Sequence, residues 1–445
     1  MMWKSRRRKT CGAVLLSAVC MGVAAGGTRA QNQTIGKEFQ GTTFTPALED
    51  TSHTRGSALL ATLILESSFD TNLLQSQSGV QLEGPYQVIE GEVTYDVRRP
   101  GDDLLLRYWG GVRIYPGHAN LNSVLQDARL QWTHRIGSRL EFVATSRYAY
   151  LPGGVVLENN PGQGFPLLVS GSSAYSFLQQ KLSNIEGTIG ATGRLSRHTF
   201  AVFGTNFLDS KHYGTDLIDT KELDAYAGVY YVPTHSQSLG AIYSQQWMKF
   251  GLGFGNSEVK SLFLTYSLGI TPTISISAFA GPSRIQQLPS TINSPGGNPP
   301  GVPPELQVVP QSMESGILGG VKVERHYRHN ILRLSYTRLI TNGGGYLSSV
   351  LQEMAELSAS RSLRPHLEVS LGGTYTQNTQ IGLSNLNFKT LYIEPSLTYQ
   401  WTRNLKLTLR SSYGKIAGLE GSAPIKREEV ALRLEYVLPQ ISIGK

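Results

Sequence analysis

Long runs with a period of two dominate this chain. Pro365 to Gln377 reads PHLEVSLGGTYTQ, which puts Leu367, Val369, Leu371 and Tyr375 on one face and Glu368, Ser370, Thr374 and Thr376 on the other. Asn404 to Tyr413 sets Leu405, Leu407 and Leu409 against Lys406, Thr408 and Arg410. Glu429 to Leu438 sets Val430, Leu432, Leu434 and Tyr436 against Arg433 and Glu435. Alternation over ten or more residues means extended strands with one apolar and one polar face. Repeated along a long chain behind an export signal, with the charges kept to the polar face, it predicts a transmembrane β-barrel.

The pattern places eighteen strands: 58–69, 87–97, 102–115, 121–135, 138–150, 182–195, 198–208, 222–232, 238–248, 257–269, 272–283, 314–326, 330–340, 348–361, 365–376, 387–401, 404–414 and 428–439. The segments 58–69 and 121–135 carry the weakest alternation, and without them sixteen strands remain. The expected fold is therefore all-β, an antiparallel up-and-down barrel of about eighteen strands. The connections support it. Short links such as Ile136-Gly137-Ser138, Ser196-Arg197 and Thr402-Arg403 alternate with long ones at about 151–181, 209–221, 284–313, 377–386 and 415–427. Sorting of this kind belongs to membrane barrels, with short periplasmic turns and long outer loops. The 284–313 link, with seven prolines from Pro289 to Pro310 just after Pro282, is excluded from helix and central strand; it is a mobile outer loop or a lumen constriction. Phe165 to Val169 makes 151–181 the better candidate for an inward cap.

Residues 1–30 read as a signal peptide, 31–55 as a flexible periplasmic leader and 56–445 as the barrel. Lys4, Arg6, Arg7, Arg8 and Lys9 precede an apolar stretch from Cys11 to Ala25, too short to span a bilayer, and Thr28-Arg29-Ala30 offers a cleavage site. Six basic residues and no acidic one lie in 1–30, so eight less six leaves about +2 on the processed chain. That balance gives no basis for nucleic-acid binding. Both cysteines, Cys11 and Cys20, lie in the signal, which excludes disulfides and cysteine-based metal sites from the barrel. A closed hydrogen-bond ladder needs no such staple.

Parity assigns faces. Leu332, Leu334 and Tyr336, Leu391, Ile393, Leu397 and Tyr399, and Leu262, Leu264, Tyr266 and Leu268 are lipid-facing candidates. Lys260, Arg333, Glu368, Glu394, Lys406, Arg410, Arg433 and Glu435 are the lumen-facing candidates, because a charge at mid-bilayer costs about 2–4 kcal/mol. Their mixed signs argue against strong ion selectivity. They either line a polar conduit or glycan-contacting wall, or cross-link a filled lumen. Trp132, Trp247, Trp401, Tyr148, Tyr150, Tyr399, Tyr413 and Tyr436 near strand ends suit headgroup girdles, leaving Trp109 and Tyr392 as inward aromatics. The short turns are basic, with Arg135, Arg139, Arg194, Arg197 and Arg403 among them and Asp102-Asp103 as the acidic exception; this suits anionic lipid headgroups or an acidic periplasmic partner. No zinc-ligand spacing, phosphate loop or nucleophile elbow occurs, and Asp209-Ser210-Lys211-His212 is a polar run without an orienting context. Gly343-Gly344-Gly345 reads as a turn. Neither an enzyme nor a cofactor is expected.

Arg333 to Val350 (RLSYTRLITNGGGYLSSV) with Leu357 to Asn378 (LSASRSLRPHLEVSLGGTYTQN) resembles the β-barrel porins of bacterial outer membranes, and more narrowly those encoded beside exopolysaccharide-export systems. Ser335-Tyr336-Thr337-Arg338 and Gly343 to Tyr346 carry the likeness, which covers 320–440. It implies a Gram-negative outer-membrane location after cleavage near Ala30, and a passive pore for polysaccharide or small polar solutes. Outer-membrane lipid, the barrel-assembly machinery and export components are the implied partners, and no catalytic residues come with the family. The alternative is a structural or adhesion barrel with a plugged lumen. Such barrels end on an aromatic residue, whereas here nine residues, Val437 to Lys445, follow Tyr436.

Overall fold

The computed structural model describes residues 56–73, 82–151, 181–213, 218–234, 236–251, 255–288, 290–292, 307–309, 312–327, 329–343, 349–381, 387–418 and 424–443. The signal and leader expected over 1–55, and nearly all of the 151–181 link, lie outside them.

The strands are β1 (Gly56–Asp70), β2 (Gly84–Arg99), β3 (Asp102–Ile114), β4 (Ser123–Ile136), β5 (Leu140–Leu151), β6 (Lys181–Arg194), β7 (Thr199–Tyr213), β8 (Thr220–Thr234), β9 (Gln237–Phe250), β10 (Asn256–Thr271), β11 (Ile274–Gln287), β12 (Ser290–Ile292), β13 (Gln307–Val309), β14 (Ser312–Tyr327), β15 (Asn330–Thr341), β16 (Val350–Arg364), β17 (Leu367–Gln380), β18 (Asn387–Gln400), β19 (Leu405–Ala417), β20 (Ile425–Val437) and β21 (Ile441–Ile443). Strands β1 to β11 and β14 to β20 pair antiparallel with their sequence neighbours, and β1 pairs with β20 in the register Thr62↔Val437 to Asp70↔Glu429. The sheet thus closes as an eighteen-stranded up-and-down barrel. Closure matters physically because an open edge in lipid would leave backbone N–H and C=O groups without partners. All eighteen expected strands are present, including the two left open, as β1 and β4.

A strand such as β9, of 14 residues, extends about 46 Å along its own axis. Tilted by about 40°, it covers roughly 35 Å of the membrane normal, more than the ~25 Å apolar band needs. The surplus stands above the bilayer, at the outer end. The periplasmic turns are tight: Gly101 and Gly137 take φ values of +88 and +60, open to glycine, and Arg135 N–H donates to the Gly101 carbonyl at 2.7 Å.

The outer face carries Leu63, Leu65 and Phe69 of β1, Leu262, Leu264 and Tyr266 of β10, and Leu332, Leu334 and Tyr336 of β15, all exposed. Trp132, Trp247, Trp401, Tyr148, Tyr399 and Tyr436 are exposed as well. No helix among the described residues is long and apolar enough to cross a membrane.

The tail beyond Tyr436 extends the closing strand. Leu438 N–H donates to the Ala61 carbonyl at 2.8 Å, and β21 then pairs Ile441↔Leu59 to Ile443↔Ser57. Between the two ladders the closing strand holds one extra residue, a bulge at Pro439-Gln440, where a proline without an N–H is tolerated. The expected 284–313 loop is also partly ordered. β11 runs on to Gln287, and β12 and β13 form a two-stranded ladder within the link.

Candidate functional site

The lumen is the one place where the fold gathers polar side chains, and its wall is asymmetric. On β1–β6 and β18–β20 it is charged. Arg427 reaches Asp70 at 2.7 Å and Glu429 at 3.0 Å. Arg410 reaches Glu66 at 3.2 Å, Glu429 at 3.1 Å and Glu394 at 4.0 Å. Asp127 is shared by Arg129 at 2.9 Å and Arg147 at 2.6 Å, and Arg107 meets Glu92 at 2.7 Å. Each strand contributes at i, i+2 spacing on the inward parity, so cross-strand neighbours fall at the same height and pair. Arg113 lies over the Tyr86 ring at 4.7 Å, and Trp109 Nε1 donates to Glu90 at 3.1 Å.

On β7–β11, β14 and β15 the inward positions mix buried apolar side chains (Phe200, Val202, Tyr226, Tyr230, Ile242, Phe263, Phe279 and Leu318) with small polar ones such as Ser244, Ser261 and Ser283, and the ion pairs gather on β14 and β15, where Glu324 meets Lys322 and Arg333. Phe263 and Phe279 meet edge to face at 5.4 Å. Within this part, β8 carries two buried carboxylates, Glu222 and Asp224.

Most of the predicted lumen residues lie on the inward parity. Arg333 pairs with Glu324 at 3.2 Å and Lys406 with Glu435 at 3.4 Å. Glu394 accepts from the Tyr392 hydroxyl. Arg433 shares its parity with Arg427 and Glu429, while Glu368, at the turn end of β17, is exposed. Lys260 is a correction. It shares the face of Leu262 and Leu264, is 47% exposed and pairs with Glu258 at 3.2 Å. It sits five residues into β10 from the outer link, where a lysine stem lies along apolar surface and its ammonium reaches the headgroups. The cost argument that turned it inward applies only near mid-bilayer.

Asp209-Ser210-Lys211-His212 does not converge. Ser210 is buried on the inward parity, whereas Asp209 pairs with Lys221 at 3.3 Å. In the acidic Asp102-Asp103 turn, Asp103 pairs with Arg135 at 3.0 Å and Asp102 hydrogen-bonds the His134 Nδ1 at 2.7 Å. Among the described residues no group of three or more His, Cys, Asp or Glu side chains could hold a metal ion.

Sequence reasoning missed the element that narrows the lumen. The 151–181 and 284–313 links were the expected constrictions, but among the described residues it is the ends of the β15–β16 link, with Ile381 after β17, that bond across the interior. Asn342 Nδ2 donates to Glu222 of β8 at 3.2 Å. Those strands stand five intervals apart, about 24 Å along the wall at ~4.8 Å each, so the bond forms only across the interior. Ser349 Oγ donates to Ser257 of β10 at 2.6 Å, and Ile381 N–H donates to the Ser349 carbonyl at 3.0 Å. Gln287 Nε2 in turn donates to the Ile381 carbonyl at 2.7 Å. Asn342 and Ser349 are 2% and 0% exposed. Gly343, with φ +59, supplies the left-handed residue that turns the chain inward after Asn342. The Gly343-Gly344-Gly345 run was the available signal, read only as a turn.

No protein-family model matches the chain, and no curated protein sequence matches it. Among solved structures it aligns with Acinetobacter baumannii OccAB3 at 9% identity, over 86% of this chain and 99% of that one, with a TM-score of 0.47. Pseudomonas aeruginosa OccK2 (OpdF), solved in complex with glucuronate, aligns at 12% identity over 88% and 100%, with a TM-score of 0.46. The P. aeruginosa outer membrane protein opdK aligns at 11% identity over 86% and 99%, with a TM-score of 0.43.

Proposed function

We propose that this protein is an outer-membrane channel that passes small polar solutes by passive diffusion and performs no catalysis. One observation carries the reading: a closed eighteen-stranded barrel with an apolar exterior and arginine–carboxylate pairs on its inner wall. Barrels of this strand number leave an aqueous channel unless something fills it. Ion pairs of both signs on β1–β6 and β18–β20 place charged groups of either sign beside a solute, which suits polar cargo without a strong preference for either charge.

The bonds of Asn342 and Ser349 across the interior favour small solutes over the polysaccharide implied by the exopolysaccharide resemblance, because they tie distant parts of the wall together across the lumen. Outer-membrane lipid and the assembly machinery are the partners this reading requires. Liposome swelling with uncharged sugars of increasing length tests it. Swelling that is fast for a pentose and falls off by a trisaccharide is the expected result. Swelling undiminished for long oligosaccharides favours polysaccharide passage. No swelling with folded protein favours the plugged structural barrel, which the buried apolar clusters on the inner wall would suit.

A further inference from the structure

We propose that Glu222 and Asp224, together with Asn206, form a binding site for a primary ammonium group of a solute in the lumen. The two carboxylates sit at i and i+2 on β8, on the inward face, about 6.6 Å apart along the strand. They are 7% and 1% exposed. Elsewhere on the inner wall Glu66, Asp70, Glu92, Asp127, Glu324 and Glu429 each have an arginine or lysine nitrogen within 4.0 Å, while Glu90 and Glu356 stand singly, held by Trp109 and Ser335. Among the described residues neither Glu222 nor Asp224 has such a nitrogen. Their partners are neutral amides: Gln246 Nε2 at 2.7 Å and Asn342 Nδ2 at 3.2 Å on Glu222, and Asn206 Nδ2 at 3.1 Å on Asp224. The lysines nearest in sequence and register, Lys221 and Lys249, take the opposite parity and face outward.

A second observation points to a missing donor. Asp224 Oδ1 and Asn206 Oδ1 are both buried and accept no hydrogen bond. An orphaned acceptor costs about 1–3 kcal/mol, and a buried carboxylate without counter-charge costs more. An ammonium supplies the charge and three N–H donors at once. Two carboxylates spaced along a strand, in no group of three or more His, Cys, Asp or Glu side chains that could hold a metal among the described residues, suit such a bridging donor better than a divalent metal, whose oxygen ligands must converge at about 2.3–2.6 Å. Asn342 comes from the crossing link instead of the wall, so an entering ammonium replaces its amide on Glu222 and engages the constriction directly.

The inference takes the solute's route from the channel reading, but binding is measured without conductance. Full-length folded barrel in detergent is titrated calorimetrically with butylammonium, then with tetramethylammonium, which carries the same charge and no N–H. Saturable butylammonium binding, at least about tenfold tighter than tetramethylammonium and weakened about tenfold or more in both Asp224→Asn and Glu222→Gln, is the expected result. Both variants are near-isosteric, and heat-modifiable gel mobility confirms that each is folded. Absence of saturable binding to the wild-type barrel overturns the inference, leaving a proton as the counter-charge. Equal affinity for the two probes, or unchanged affinity in the variants, overturns it as well. A folded barrel that binds butylammonium yet passes no solute would contradict the channel reading alone.

Discussion

At the residue scale the strongest commitments are the buried guanidinium groups. Arg427 sits between Asp70 and Glu429 with all three side chains nearly inaccessible. Arg427→Met leaves two carboxylates without their shared cation, and the cost of breaking such a pair is about 3–5 kcal/mol. Reversible denaturant unfolding in detergent micelles should show a loss of that order, largely recovered when Asp70→Asn and Glu429→Gln are added. On the outer face the sign of the substitution reverses the expectation. Lys260→Leu should change stability by less than about 1 kcal/mol, because Lys260 sits near the headgroups in an exposed ion pair. Leu264→Arg, two pairs deeper on the same face, should cost about 2–4 kcal/mol. Refolding titrations into phospholipid vesicles distinguish the two. Lys260 also shows what alternation settles and what it does not. Parity with Leu262 and Leu264 was legible in the sequence and correct; depth was not, and the cost of a lipid-facing charge depends on depth.

At the element scale, strand positions followed from alternation, while strand ends did not. β7 was expected over 198–208 but runs to Tyr213, and β11 was expected over 272–283 but runs to Gln287. Both extensions lie at the outer end, above the lipid, where neither face needs to be apolar and the period-two signal fades. The closing strand illustrates the same limit. Pro439 breaks the alternation after Tyr436, so the tail looked unpaired, yet β21 resumes the ladder one residue out of phase. Truncation after Val437 should therefore remove the Leu438 hydrogen bond and the Leu59, Ala58 and Ser57 pairings, exposing the lower end of β1 as an edge. Assembled, heat-modifiable barrel recovered from outer membranes should fall several-fold, and wild-type recovery would show that β20 suffices for closure. The β15–β16 link was illegible for a different reason. Asn342 and Ser349 find partners 120 and 92 residues away, on strands that only barrel closure brings opposite them. No local pattern encodes a chord across a lumen. Asn342→Ala with Ser349→Ala should loosen this crossing, which is expected to raise mean single-channel conductance and shorten closed dwell times. An unchanged current trace would show that the link does not limit flow.

At the scale of the whole molecule, closure, exterior and lumen impose one another. Closure satisfies the backbone in lipid, alternation gives an apolar outside at the cost of a mixed inside, and the inside then settles into an arginine–carboxylate part and a part where apolar and small polar side chains mix, with Asn342, Ser349 and Ile381 bonding across it. Fold class, strand count and the inward parity of most charged candidates could be read from the chain, because each depends on local period. The division of the lumen into two unlike parts could not, because it depends on which strands end up diametrically opposed. The central claim is that this interior conducts. Purified full-length protein, first shown to be folded by a heat-dependent shift in gel mobility, would be reconstituted at single-channel density in planar bilayers in potassium chloride. The account predicts discrete, ohmic steps with weak selectivity between cation and anion. A folded, inserted barrel that gives no steps at any applied voltage would contradict it.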